Sequence, residues 1–294
     1  VRIHAAGVGF VDPLMVAGDY QLKPTLPFIP GTEFAGEIIE VGQGVMRLTP
    51  GTAVCGGALG GAFAEEITIG QDKLMQIGAS TSMLEASVLR ASYLTAWIGL
   101  SQRAAIKPGE TLLVLGAAGA VGIACCQLGR HLGATVIASA STPEKRALAL
   151  AKGAGTAIDS NASDWREQVK TLTQGRGADV VADPVGGDLS QAALRSLAWN
   201  GRHLIIGFAS GTIPNLPANL ALLKGGAILG VDARQFGIHY PAAAQTGRTV
   251  IGCLFDAGVL KPPIAEVFPL EGFAEAMHMA ANGTALGRIV LRMA

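Results

Sequence analysis

The sequence predicts an α/β protein, in which a doubly wound parallel sheet follows a smaller β domain. Three observations carry this prediction. A glycine-rich stretch, 111–122 (TLLVLGAAGAVG), joins a short apolar run to an apolar helical segment. A regular series of strand-like runs follows it, with helical segments between most of them. Residues 1–75 are instead rich in Gly, Pro and Val and carry short β-like runs separated by turn signals.

Composition narrows the class. A chain of 294 residues corresponds to about two domains. With 50% hydrophobic residues and 15% charged, the core can be large without disulfide support. Lys+Arg and Asp+Glu number 22 each, so no net field draws nucleic acid or a membrane surface. No apolar run approaches the roughly 18 residues of a membrane span, and no signal peptide is expected. The cysteines at 55, 125, 126 and 253 match no zinc or disulfide spacing. Reduced thiols in a cytoplasmic protein are therefore expected. The sequence opens at Val1 within a strand-like run, and an opening strand or hairpin is expected upstream.

The elements follow in order. Strands are expected at 1–8, 34–41 and 63–69, with turns at Pro30-Gly31 and Thr49-Pro50-Gly51, as in a barrel-like β domain. Residues 84–105 read as helical. The turn Lys107-Pro108-Gly109-Glu110 introduces the apolar strand 111–115. Further strands are expected at 135–138, 156–158, 179–182, 203–206 and 227–231, with helices including 144–151 and 189–197. Pro262-Pro263 breaks this pattern. The tail reads as a helix, 273–281, and a strand, 289–291, which return to the first domain. The expected domains are 1–93 with 262–294, and 94–261.

Ala117-x-Gly119-x-x-Gly122 has the strand–turn–helix context of a dinucleotide fingerprint. Gly119 lets the backbone approach a pyrophosphate, and Gly122 lets the helix pack close to the strand. The N-terminal turn of that helix, with Ala120 and Val121, presents free N–H groups and a positive dipole end to the phosphates. Ala117 replaces the usual first glycine, so its turn must tolerate a Cβ.

These features, in this order, resemble the zinc-independent quinone oxidoreductases of the medium-chain dehydrogenase/reductase superfamily, the ζ-crystallin-like branch. The carrying residues are Pro30-Gly31-Thr32-Glu33-Phe34-Ala35-Gly36, the 117–122 loop, Asp183-Pro184-Val185-Gly186-Gly187, Gly207-Phe208-Ala209-Ser210-Gly211 and Leu286-Gly287-Arg288-Ile289-Val290-Leu291. The resemblance implies a GroES-like β-barrel domain joined to a Rossmann domain, with the active site in the cleft between them. Relatives with catalytic zinc carry Gly-His-Glu where this chain has Gly31-Thr32-Glu33. Thr32 is a poor zinc ligand, and the upstream cysteine ligand is also absent from Gly7-Val8-Gly9-Phe10-Val11-Asp12. No metal site is expected.

The resemblance implies NADPH-dependent hydride transfer to a small-molecule quinone or conjugated enone. NADPH brings the hydride and the protein brings orientation and a dry pocket. Tyr20, in Gly18-Asp19-Tyr20, and Thr95, in Tyr93-Leu94-Thr95-Ala96, match family hydroxyls at the reaction site. Tyr20 also reads as a rim tyrosine, and Thr95 as a helix hydroxyl bonded to its own backbone. Two positions depart from the family: Gly9 stands where Asn is common, and Leu14 where Tyr is common. Either the substrate is bulkier and more apolar, or activity is reduced. An enoyl-thioester reductase is one alternative, and a low-turnover NADPH-binding scaffold or sensor is a second.

At the adenosine end, 138–141 (Ala-Ser-Ala-Ser) has no acid of the kind that binds the ribose hydroxyls of NAD. Lys145 and Arg146 follow on the next helix and suit a 2′-phosphate, with Ser139 or Ser141 as hydroxyl partners. A Ser-capped, Pro-started helix carrying a solvated Lys is the simpler alternative. Ser160 and Gly283 replace a Tyr and an Arg that relatives use for phosphate. Asp183, Val185, Gly207, Phe208 and Ala209 lie at carboxyl ends of strands, and are expected at the nicotinamide ribose and ring. The apolar edge strand 227–231 is expected to pair a homodimer.

Overall fold

The computed structural model describes residues 1–79 and 81–294. Its strands are β1 (Arg2–Val8), β2 (Glu33–Glu37), β3 (Ala53–Gly57), β4 (Leu74–Gln76), β5 (Thr111–Leu115), β6 (Thr135–Ala140), β7 (Thr156–Asp159), β8 (Ala178–Asp183), β9 (Leu197–Ile205), β10 (Ala227–Gly230), β11 (Ile264–Pro269) and β12 (Arg288–Arg292). They form two six-stranded sheets. The chain divides into two compact units, Val1–Ser92 with Arg248–Ala294, and Tyr93–Gly247.

In the second unit the strand order is β10-β9-β8-β5-β6-β7, and every pair is parallel. The order reverses around β5, as a doubly wound sheet requires. Helices cover the sheet, so β5 is buried along its whole length and reads as a continuous apolar run. Leu113, Leu115, Ile137 and Val181 pack there with Trp165 and Val169 of the helix Trp165–Leu172. The strand expected at 203–206 is the second half of the longer β9. Asn200 adopts a left-handed φ of 61° inside β9, and the polar stretch Asn200-Gly201-Arg202 looks like a loop in sequence.

The first unit has the order β11-β12-β1-β2-β3-β4. The tail strand β12 pairs antiparallel with β1, so the chain end closes onto its beginning. Ile3, Phe34, Ile38, Val54, Ile289 and Leu291 form the core. The strand expected at 63–69 does not form. Its backbone is held at scattered points instead, with Phe63 N donating to Pro30 O and Ile3 N to Glu65 O, and only the Arg2–Glu66 bridge is strand-like. β3, β4 and β11 escape sequence reading because they are short, glycine-bearing or ended by proline. The single helix expected at 84–105 is three pieces, Met83–Ala86, Arg90–Trp97 and a π-helical Ile98–Arg103.

The units divide at 247/248, not at Pro262-Pro263. The helix Pro241–Asp256 changes neighbours along its length. A Cβ at Gly247 would strike the Trp97 ring at 2.6 Å, whereas Gly252 faces Met75 and Asp256 accepts from Gly78 N at 3.0 Å. Cys55, Cys125 and Cys126 are buried, and burial pushes their thiols above the ordinary range. Among the described residues, no helix is long and apolar enough to cross a membrane.

Candidate active site

Gly116 follows β5 directly; its φ is +56°, and a Cβ there would lie 2.8 Å from Val185 Cγ2. The left-handed residue of the turn is thus Gly116, one position before the motif. That is why Ala117 is tolerated: it is buried, and its N–H donates to Ser139 O at 3.1 Å. Gly119 is the exposed, extended residue preceding the helix Ala120–His131. The amides of Ala120, Val121 and Gly122 have no carbonyl one turn back within that helix. A Cβ on Gly122 would lie 2.2 Å from Gly116 O, so the turn closes only around glycine. This row of donors at a helix start, next to the exposed Gly119, fits the pyrophosphate of a dinucleotide.

The end of β6 corrects one expectation. Ser139 is fully buried, and its hydroxyl accepts from Trp165 Nε1 at 2.8 Å, so it does not face a 2′-phosphate. Trp165 lies 26 residues on, and no local pattern pairs it with Ser139. Ser141 and Lys145 are half-buried and sit on the same loop and first helical turn. Thr142 caps that helix by accepting from Lys145 N at 3.3 Å, and Pro143 starts it. Arg146 is turned inward instead. Its Nη1 donates to Ala140 O at 3.2 Å and pairs with Asp159 Oδ2 at 3.0 Å.

The turns after β8 and β9 are laced together. Ala209 N donates to Pro184 O at 3.1 Å, and Ser210 N to Val185 O at 2.8 Å. Val185, Gly207, Phe208 and Ala209 therefore form one surface, and Val185 extends it to Gly116. Phe208 remains 39% exposed on it. Asp183 is a second correction, because its carboxylate is buried and occupied by its own loop. Oδ1 accepts from Val185 N and Gly186 N, both at 2.9 Å. Oδ2 accepts from Ser190 Oγ and, at 3.0 Å, from His203 Nε2. Burial raises the Asp183 carboxyl, but His203, Ser190 and Gly186 outweigh it and hold it below its ordinary value. Asp183 shapes the loop; it does not offer an oxygen to a ribose. Ser190 and His203 were not visible as its partners in sequence.

In the first unit, Tyr20 is half-buried after the helix Val11–Ala17, with its N–H donating to Leu14 O at 3.2 Å. Thr95 is half-buried in the helix Arg90–Trp97 of the second unit. Among the described residues no hydrogen bond ties its hydroxyl to the backbone.

The first unit also holds a buried polar cluster that sequence reading passed over, apart from noting that Asp12 is retained. Arg288 Nη2 pairs with Glu33 Oε1 at 2.5 Å and Nη1 donates to Ser92 Oγ at 3.1 Å. Glu33 Oε2 accepts from Ala91 N, and Asp12 Oδ2 from Gly9 N at 2.7 Å. Burial pushes the Asp12 carboxyl up to about 6. The Gly9 amide, Arg288 and Thr32 pull it down, and Glu33 adds to the rise. Among the described residues, no three His, Cys, Asp or Glu side chains are grouped to hold a metal ion. With Thr32 where zinc-binding relatives carry His, the residues present do not fit zinc.

Sheet order and glycine turn together define a dehydrogenase-type protein, and comparison with known proteins agrees. Residues 1–95 match the family described as "Alcohol dehydrogenase GroES-like domain", and residues 120–246 match "Zinc-binding dehydrogenase". The chain is 39% identical over 295 residues to "Quinone oxidoreductase-like protein 2 homolog" of Nematostella vectensis, covering 99% of this chain and 80% of the relative. It superposes on a mycobacterial protein solved in complex with NADPH at TM-score 0.90 and 27% identity, covering 99% and 90% of the two chains. It superposes on the CurK enoyl reductase at TM-score 0.89 and 26% identity, covering 100% and 90%. The chain belongs to the quinone oxidoreductase family of the medium-chain dehydrogenase/reductase superfamily, and is an NAD(P)H-type oxidoreductase.

Proposed function

We propose that this protein transfers hydride from NADPH to a quinone or conjugated enone without zinc. The observation that carries this reading is the anion cradle of Gly116–Gly122 beside a β6 terminus with no acid in its loop. The donors at the helix start take the pyrophosphate, and Ser141 and Lys145 take the 2′-phosphate. Val185, Gly207, Phe208 and Ala209 hold the nicotinamide ribose and ring. When bound, the cofactor supplies the hydride. Tyr20 and Thr95 supply hydroxyls that orient the acceptor.

NADPH oxidation with 1,4-benzoquinone and 9,10-phenanthrenequinone tests the reading. Turnover with either supports it, and none with both overturns it. The likeness to an enoyl reductase favours a second reading, reduction of an enoyl thioester, for which crotonyl-CoA is the probe. We further propose a homodimer through β10, which lies at the sheet edge with Ile228 39% exposed. Sedimentation at micromolar concentration giving only the 30.0 kDa species would count against the dimer.

A further inference from the structure

The loop after β6 carries no acid, but the strand beside it brings one. β6 and β7 run parallel, and their register sets Ala140 beside Asp159. Asp159 is the last residue of β7, so it stands at the carboxyl end of the sheet, next to the loop that holds Ser141. Its Oδ1 accepts from Asn161 N at 2.9 Å, and its Oδ2 pairs with Arg146 Nη1 at 3.0 Å. The same Arg146 nitrogen donates to Ala140 O at 3.2 Å. Ser160 N also donates to Ala140 O, at 3.2 Å, and Asn161 Nδ2 donates to Ser141 O at 3.3 Å. Two consecutive carbonyls at the end of β6 are thus bonded to residues that follow β7, which keeps the acid beside the loop.

An acid beside the adenosine ribose accepts from its hydroxyls and repels a 2′-phosphate. Here the acid comes from the adjoining strand, and a guanidinium already holds it. Arg146 follows Lys145 on the first turn of the helix Pro143–Ala151, so the cation assigned to the phosphate and the cation bound to Asp159 are neighbours in the chain. The side chains of the pair are 22% and 37% exposed, so solvent screens their field only in part. Arg146 also acts on Glu144, an exposed acid of the same turn.

We propose that Arg146 and Asp159 together set the cofactor preference: Arg146 cancels the charge of the β7 acid, and the site accepts a 2′-phosphate because it does. This rests on the NADPH reading above, which places that phosphate at Ser141 and Lys145. Arg146 is a specificity-determining residue that acts through Asp159 and does not itself have to touch the cofactor. Removing it leaves Asp159 uncompensated. A unit charge acting on a phosphate of charge near −2 across roughly 8 Å of water-like surroundings changes affinity about fivefold, which is about 1 kcal/mol.

Dissociation constants for NADPH and NADH in four proteins test this: wild type, Arg146→Met, Asp159→Asn and the double variant. Arg146→Met should bind NADPH about fivefold more weakly, with NADH affinity unchanged. Asp159→Asn keeps an oxygen for Asn161 N and loses the charge, so NADPH should tighten by a similar factor. The double variant should return to within about twofold of wild type, because neither charge is left. The Arg146→Met effect should shrink as salt rises. A double variant as weak as Arg146→Met, or equal losses for both cofactors, would assign Arg146 to holding the loop and overturn the proposal. If Arg146→Met does not fold, Asp159→Asn decides alone, and an NADPH-to-NADH affinity ratio that fails to rise in it overturns the proposal. A wild type that binds NADPH no more tightly than NADH removes the NADPH reading, and the ratio in Asp159→Asn still decides the pair. A chain that binds neither nucleotide rejects both.

Discussion

Replacing Asp183 with alanine separates a loop-shaping carboxylate from a cofactor ligand. The change removes the acceptor for Val185 N, Gly186 N, Ser190 Oγ and His203 Nε2 at once. Hydrogen bonds to a charged group contribute roughly 1.5–3 kcal/mol each. The four are not additive, because the loop amides regain water once the turn loosens, whereas His203 stays fully buried. Breaking a buried charge-bearing contact typically costs about 3–5 kcal/mol, and that is the loss expected here. Urea unfolding followed by tryptophan fluorescence at pH 7 gives the number. The folded carboxyl is held below its ordinary value, so its stabilisation is present above the unfolded pKa of about 3.9 and is lost as pH falls through the lower folded value. The stability gap between wild type and Asp183→Ala should therefore close in acid. A loss under about 1 kcal/mol at pH 7, with NADPH affinity weakened about tenfold or more, would refute this account and return Asp183 to the ribose.

Three further outcomes are expected. Ser139→Ala strands the Trp165 N–H in the core and should cost about 1–3 kcal/mol in thermal or urea unfolding, leaving the NADPH-to-NADH affinity ratio unchanged. A shifted ratio without destabilisation would put Ser139 back at the phosphate. Lys145→Ala should weaken NADPH about tenfold and hardly move NADH, as read by dissociation constants for both; equal losses would assign Lys145 to the fold. Gly116→Ala must take a left-handed φ and crowd Val185, so about 2 kcal/mol or more should be lost, whereas Ala117→Gly should cost under about 1 kcal/mol. Melting temperatures of the pair decide it.

The sequence alone determined whatever repeats locally. The β5 bounds, the glycine turn and the βα series were all legible, because a buried parallel strand must be apolar throughout and a close turn must be glycine. The same uniformity concealed Ser139, since strands covered on both faces carry no alternation to say which way a hydroxyl points. Its partner, the indole of Trp165, arrives from a different βα unit. Asp183 looked like a ligand because it ends a strand, and only the neighbouring β9 brings His203 to it. The buried Glu33–Arg288 pair is the extreme case. Arg288 meets Glu33 across 255 residues because β12 lies beside β1 and β1 beside β2. Strand pairing between chain ends is decided by how the whole sheet buries its apolar faces, and neither Glu33 nor Arg288 carries that information in its own neighbourhood.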